Sequence, residues 1–251
     1  MLALLVLAML VGGALQRVTG MGFGLVAGPF IVLIVGPLEG VLLVNLAGAT
    51  ASLLILGRTA RGVDWRRYAW LAAASVAVSI PAALLLRGAS PPALEVTIGA
   101  VVVVAMTLAL FTARLRRGGA HPLRPESRWP LLITGVTSGF GSVAAGIGGP
   151  PLAIYSVLSG WGPRSFAATA QPFFFTNALA ALTAKLVFTD ASFPALDPLA
   201  WALILGTIVV SLFLGEVLAK RVSADSTRRI LVVLAYLGGV ATLVRGLTEL
   251  L

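Results

Sequence analysis

The part of this chain best suited to chemistry is a stretch of bare backbone, Gly146-Ile147-Gly148-Gly149-Pro150-Pro151, with a shorter echo at Gly20-Met21-Gly22-Phe23-Gly24. Both stretches lie inside long apolar runs. Glycine lets a backbone turn sharply and approach a ligand closely. Proline fits the first turn of a helix, where its missing N–H is not needed. The second stretch therefore reads as a turn followed by a helix opening at Pro150-Pro151, its N-terminus pointing back at the glycines. Such an end carries about half a positive charge and unpaired N–H donors, and in a low dielectric it favours an anion. Gly20, Gly22, Gly24, Gly146, Gly148, Gly149 and Pro150 are accordingly candidate anion-binding positions. The first copy has Gly24 and Leu25 where the second has its prolines, and reads as the less rigid half. Scattered glycines such as Gly12, Gly48 and Gly206 read instead as close helix contacts.

Polar side chains near these turns supply the remaining candidates. Arg17 stands just before the first turn in an apolar stretch, where a charge is costly unless paired or functional. It is the candidate cation, with snorkelling to an interface as the competing reading. Asn45, Gln171, Thr176 and Asn177 follow the turns, and their side chains could bond substrate oxygens or tie helices together. Thr169 and Ser142 are weaker candidates of the same kind. Gln171 and Asn177 are six apart and do not share one helix face cleanly. Acidic groups are scarce: Glu39 and Glu216 read as interfacial, so coupling through a buried carboxylate has no support. The spans contain no paired carboxylates, no metal-ligand cluster and no Ser/His/Asp set, and the chain has no Walker loop. These absences disfavour an enzyme and ATP drive. Cysteine is absent, and the single His121 sits in a polar linker. No cofactor and no metal are expected.

These groups must be held by an apolar frame. Of the 251 residues, 59% are hydrophobic and 11% charged, against about 25% charged in soluble domains. Such a chain cannot cover itself with a solvated surface, so the expected class is an all-α polytopic membrane protein. A β-barrel would show alternating segments of about ten residues, whereas these runs are continuous. The net charge of +9 clusters between apolar runs, as membrane topology requires, and does not point to nucleic acid. Met1 to Leu15 has no basic residue ahead of it and reads as a retained helix, not a signal peptide.

Apolar segments run over 2–16, 21–35, 38–57, 68–87 and 93–113, then over 130–145, 150–160, 165–188, 199–219 and 229–247. A full span needs about 20 residues, so the pieces beside the glycine turns read as broken or re-entrant helices. Together they suggest about eight to ten transmembrane segments. Residues 114–129 form a basic linker with Arg114, Arg116, Arg117, Arg124 and Arg128. Gly118-Gly119, Pro122 and Pro125 argue against a helix there. The linker separates a first repeat, 1–113, from a second, 130–251. At an offset of 126, Gly13 falls on Gly139, Gly20 on Gly146, Gly22 on Gly148, Gly36-Pro37 on Gly162-Pro163 and Thr50 on Thr176, with Asn45 opposite Gln171.

Lysine and arginine placement sets the sidedness. The loop 58–67 and the linker are basic and should be cytoplasmic, as should 219–229. The loop 185–198, with Asp190, Asp197 and only Lys185, should face outward. Corresponding loops thus lie on opposite sides, the mark of an inverted-topology repeat. Each half then crosses an odd number of times and both termini lie outside. Five plus five crossings fit, as do three spans and a re-entrant hairpin per half.

These features resemble the TauE/SafE family of sulfite exporters, bacterial anion transporters. The resemblance rests on Gly20 to Gly24, on Gly146 to Pro151 and on the segment from Gln171-Pro172 to Asn177, and it covers essentially the whole chain. It implies movement of sulfite, sulfonates or related organosulfur anions across the inner membrane. The first-half turn departs from the fuller Gly-Gly-Gly-type pattern. The expected partners are a small anionic substrate and the lipid bilayer, with a homodimer left open. A passive anion channel or a non-transporting membrane subunit is the alternative reading.

Overall fold

A computed structural model describes residues 1–20, 22–115, 123 and 127–251. Met21 and most of the linker, including Arg116, Arg117, Gly118-Gly119, His121, Pro122, Arg124, Pro125 and Glu126, lie outside the described residues. Among the described residues the chain forms ten α-helices, one short 3-10 turn (Ala60–Gly62) and no strand. The helices are α1 Leu2–Thr19, α2 Gly22–Val35, α3 Pro37–Thr59, α4 Trp65–Leu86, α5 Pro91–Leu115, α6 Arg128–Ala145, α7 Gly149–Leu158, α8 Pro163–Phe188, α9 Pro198–Ala219 and α10 Ala224–Leu250.

Among the described residues, six stretches are long and apolar enough to cross a membrane: Leu2–Thr19, Pro37–Gly62, Trp65–Leu86, Pro91–Arg114, Pro198–Ala219 and Arg229–Leu250. Their outer faces carry exposed Leu85, Phe111, Phe213 and Leu237, a surface that suits lipid and not water. α6 and α8 are not among those six, although each is at least 18 residues long. Their interiors hold the polar groups instead: Thr134, Ser138 and Ser142 on α6, and Thr169, Gln171, Asn177 and Lys185 on α8, all buried. Each of these two helices thus turns a polar-bearing face inward, while Trp129, Ile133 and Val187 stay exposed on the other side.

Both glycine stretches interrupt the helical path. α1 ends at Gly20 with φ 81°, and α6 ends at Gly146 with φ 71°. Only glycine takes this left-handed backbone without strain. The Gly146 N–H bonds the Ser142 carbonyl at 2.9 Å, as in a left-handed glycine cap, and the Ile147 N–H folds back 3.0 Å to the Gly141 carbonyl. Pro150 and Pro151 then sit in the first turn of α7. Gly36 and Gly162 each precede a proline that opens α3 and α8.

Lipid offers no hydrophobic drive between helices, so small residues must let backbones come close. α1 packs on α9 and α6 on α4. In both pairs a glycine meets a serine: Gly13 against Ser211, and Gly139 against Ser75. α3 packs on α8, and α5 on α10. One end of the bundle is tied by Arg245 of α10. It pairs with Glu95 of α5 at 3.6 Å and Glu249 at 3.0 Å, and donates to the Leu33 carbonyl of α2 at 3.0 Å. Glu95 is a buried carboxylate that the sequence reading did not single out, and Arg245 is its partner.

Candidate functional site

The two interrupted stretches come together. A Cβ at Gly24 of α2 would collide with the Gly146 carbonyl, so the turns of the two halves touch backbone to backbone. Beside this crossing lies a cavity of about 50 Å³ lined by Gly24, Gly146, Gly148 and Gly149, by Asn45 and Gly48 of α3, and by Asn177 of α8. Gln16 of α1, Ser52 of α3 and Ser142 of α6 add polar groups to the wall, among apolar side chains that include Phe23, Val44 and Phe174. Gly48 is close to the middle of α3, and Asn177 to that of α8, so the cavity lies at mid-length of the two central helices. At about 10–15 Å³ for each water, it has room for roughly three to five.

The helix ends supply its electrostatics. α7 starts at Gly149, and no side chain caps its N-terminus. First-turn N–H groups have no partner within their own helix, and Pro150 and Pro151 have none to offer, so the donors at this end belong to Gly148 and Gly149. α2 starts at Gly22 with Gly24 at the cavity wall, which brings a second N-terminus to the same place.

Two buried amides clamp α6 beside its terminal turn. Asn45 Nδ2 donates to the Val41 carbonyl at 2.9 Å and to the Ser142 carbonyl at 3.0 Å, while Ser142 Oγ donates back to Asn45 Oδ1 at 3.0 Å. Asn177 accepts from Ser75 Oγ of α4 and reaches the Ser138 carbonyl at 3.5 Å. Ser138 and Ser142 are one turn apart on one face of α6. The amides therefore fix where Gly146 stands, and both Asn45 donor hydrogens are occupied, one by Ser142 of α6 and one by Val41 of its own helix. Gln16 is only 3% exposed; its Nε2 lies 3.4 Å from Ser52 Oγ and its Oε1 has no partner.

Several expected positions lie elsewhere. Arg17 does not line the cavity. It pairs with Glu216 of α9 at 3.5 Å, and Glu216 also takes Arg58 of α3 at 2.9 Å. The charge that looked free in sequence is matched across α1 and α9, near the ends of both helices. Gln171 donates to the Ala167 carbonyl of its own helix at 3.1 Å, leaving Oε1 unpartnered. Six residues from Asn177, it faces away from the cavity, which Asn177 lines. Gly20 shapes the first turn without lining the cavity, and Gly22 opens α2. Pro150 lines two larger apolar crevices of about 400 and 470 Å³ between α7 and its neighbours, which suit acyl chains. Thr176 bonds Tyr68 at 2.9 Å, and Thr169 accepts from the Asp64 N–H at 2.8 Å.

Some readings change. Gly48 and Gly206 were read as packing glycines, yet nothing lies within 4 Å of where either Cβ would be; Gly206 is exposed on α9, and Gly48 borders the cavity. Lys185 was read as a loop charge; it stands in the last turn of α8, 2% exposed. Gln16 and Ser52 line the cavity without having been singled out. The spacing of Gln16, opposite Ser142 at the same offset of 126 that relates the glycines, was the signal that could have found it.

No curated protein and no solved structure matches the chain. The family described as sulfite exporter TauE/SafE matches it over residues 4–242. That span takes in both glycine turns, the cavity between them and all the helices save the first residues of α1 and the last turns of α10, so the chain belongs to the sulfite exporter TauE/SafE family of membrane transporters.

Proposed function

We propose that the protein is a secondary transporter that moves a small anion, of the sulfite or sulfonate class, through the cavity where the two glycine turns cross. One observation carries the reading: Gly24 touches Gly146 beside a buried cavity at mid-length of α3 and α8. Unwound backbone at membrane depth is tolerated only where it is buried in protein or lines a cavity. Half-helix N-termini aimed at an anionic solute are a recurrent transporter arrangement. Gly148 and Gly149 would donate backbone N–H groups, Asn177 a side-chain N–H, and Asn45 would hold the turn.

The exchange of partners between halves, α1 on α9 and α6 on α4, with α3 on α8 and α5 on α10, supports two repeats over 1–113 and 130–251. Their opposite charge placement favours inverted topology, with the linker 114–129 cytoplasmic and both termini outside the inner membrane. Rocking of one repeat against the other would then open the cavity to each side in turn. The cavity's size favours an ion of sulfite dimensions; a sulfonate with an organic chain would need the crossing to open.

Reconstitution into proteoliposomes tests this. Sulfite flux should saturate, be competed by related anions, and be lost in Gly148→Val, whose new side chain would collide with the Asn177 amide. Unsaturable conductance would favour a channel, and full activity of Gly148→Val would place the path elsewhere.

A further inference from the structure

A helix N-terminus beside a turn does not by itself make a net positive site. At each glycine break one helix ends as the next begins. About half a negative charge from the first C-terminus then meets about half a positive charge from the second N-terminus. Side chains must tip the balance. At the first break the basic residue of the last turn is Arg17, which Glu216 already matches.

At the second break the cation comes from another helix. Lys185 of α8 is 2% exposed. No carboxylate lies within ion-pair distance of it among the described residues. Val143 of α6, the residue its ammonium reaches, belongs to a buried apolar cluster with Ala82 and Ala83 of α4 and with Ala181 and Ala184, the latter next to Lys185 on α8. Its Nζ donates to the Val143 carbonyl at 3.2 Å. Val143 adjoins Ser142 of the cavity wall, and its carbonyl lies in the last turn of α6, where the intrahelical donors run out because Ile147 N–H has folded back to Gly141.

We propose that Lys185 is the countercharge of the transport site. Its ammonium cancels the negative end of α6 and leaves the positive end of α7 uncompensated toward the cavity. It does not touch the solute; it sets the sign and strength of the field there. This rests on the anion-transport reading above. A mere cap for a carbonyl would not need a full charge: burying an ammonium costs several kcal/mol unless it is paired, and a neutral amide could donate the same bond. A bound anion is the partner that the fold itself does not supply, and ionisable groups inside membranes ordinarily mark such sites.

The test uses the purified full-length chain in detergent, with sulfite and nitrate as charged probes and urea as nitrate's uncharged planar counterpart, read by calorimetry. Lys185→Gln keeps a donor for Val143 and removes the charge; it should weaken sulfite and nitrate binding on the order of tenfold. Lys185→Arg should stay within about threefold of the unmodified protein, by the same reasoning. Unchanged anion affinity in Lys185→Gln overturns the proposal. If that variant does not fold, the unmodified protein still decides: nitrate should bind and urea should not, and equal binding of the two overturns it. Failure of the unmodified protein to bind any of these anions would instead remove the transport-site reading, and this proposal with it.

Discussion

Replacing Gly48 separates a glycine that lines a path from one that only lets helices pack. Gly48 is near the middle of α3, and nothing lies within 4 Å of where a Cβ would be added. Alanine is favoured over glycine in a helix interior by about 0.5–1 kcal/mol, so Gly48→Ala should raise the thermal midpoint by a few degrees. The added methyl would occupy the cavity. That space, about 50 Å³, holds roughly three to five waters, and the methyl removes about one of those positions. Gly48→Val removes more. Forcing a solute into the reduced space should cost about 1–3 kcal/mol, or roughly 5- to 150-fold in affinity. Gly206→Ala is the control: it too has nothing within 4 Å, but it lies on the exposed face of α9. It should gain the helical increment without loss of transport. The assay pairs thermal unfolding in detergent with concentration-dependent sulfite flux in proteoliposomes. Stability and transport should move in opposite directions at position 48 and not at 206. A Gly48→Val protein with unchanged KM and maximal flux would refute the assignment of the path to this cavity.

Other substitutions bear on neighbouring parts of the same reasoning. Gly24→Ala drives a methyl into the Gly146 carbonyl, which cannot swing aside as a side chain could; it should destabilise the fold by about 1–3 kcal/mol, seen as a lowered thermal midpoint. Asn45→Ala leaves the Ser142 hydroxyl without its partner and the Ser142 carbonyl with the Gly146 N–H alone. It should cost about 1–3 kcal/mol, with transport reduced because the second turn is no longer held. Arg17→Gln should leave the KM for sulfite unchanged, since Arg17 is paired with Glu216 away from the cavity; a large rise in KM would return Arg17 to the site.

Sequence alone determined the class of the molecule and where its helices break. Low charge and continuous apolar runs leave only a helical membrane protein, and Gly-Pro clusters act through local backbone geometry, so Gly20, Gly146 and Pro150-Pro151 mark their turns wherever the chain goes. Which polar groups face one another is a different matter, because it depends on the rotation and register of helices far apart in sequence. Only the tertiary structure could show that Arg17 meets Glu216, that Gln171 turns away while Asn177 lines the cavity, and that Gly48 borders open space instead of a neighbour. Lys185 makes the difference plain: it falls where the apolar segment 165–188 and the loop 185–198 overlap in sequence, and only the structure puts it inside α8, capping a carbonyl 42 residues away on α6.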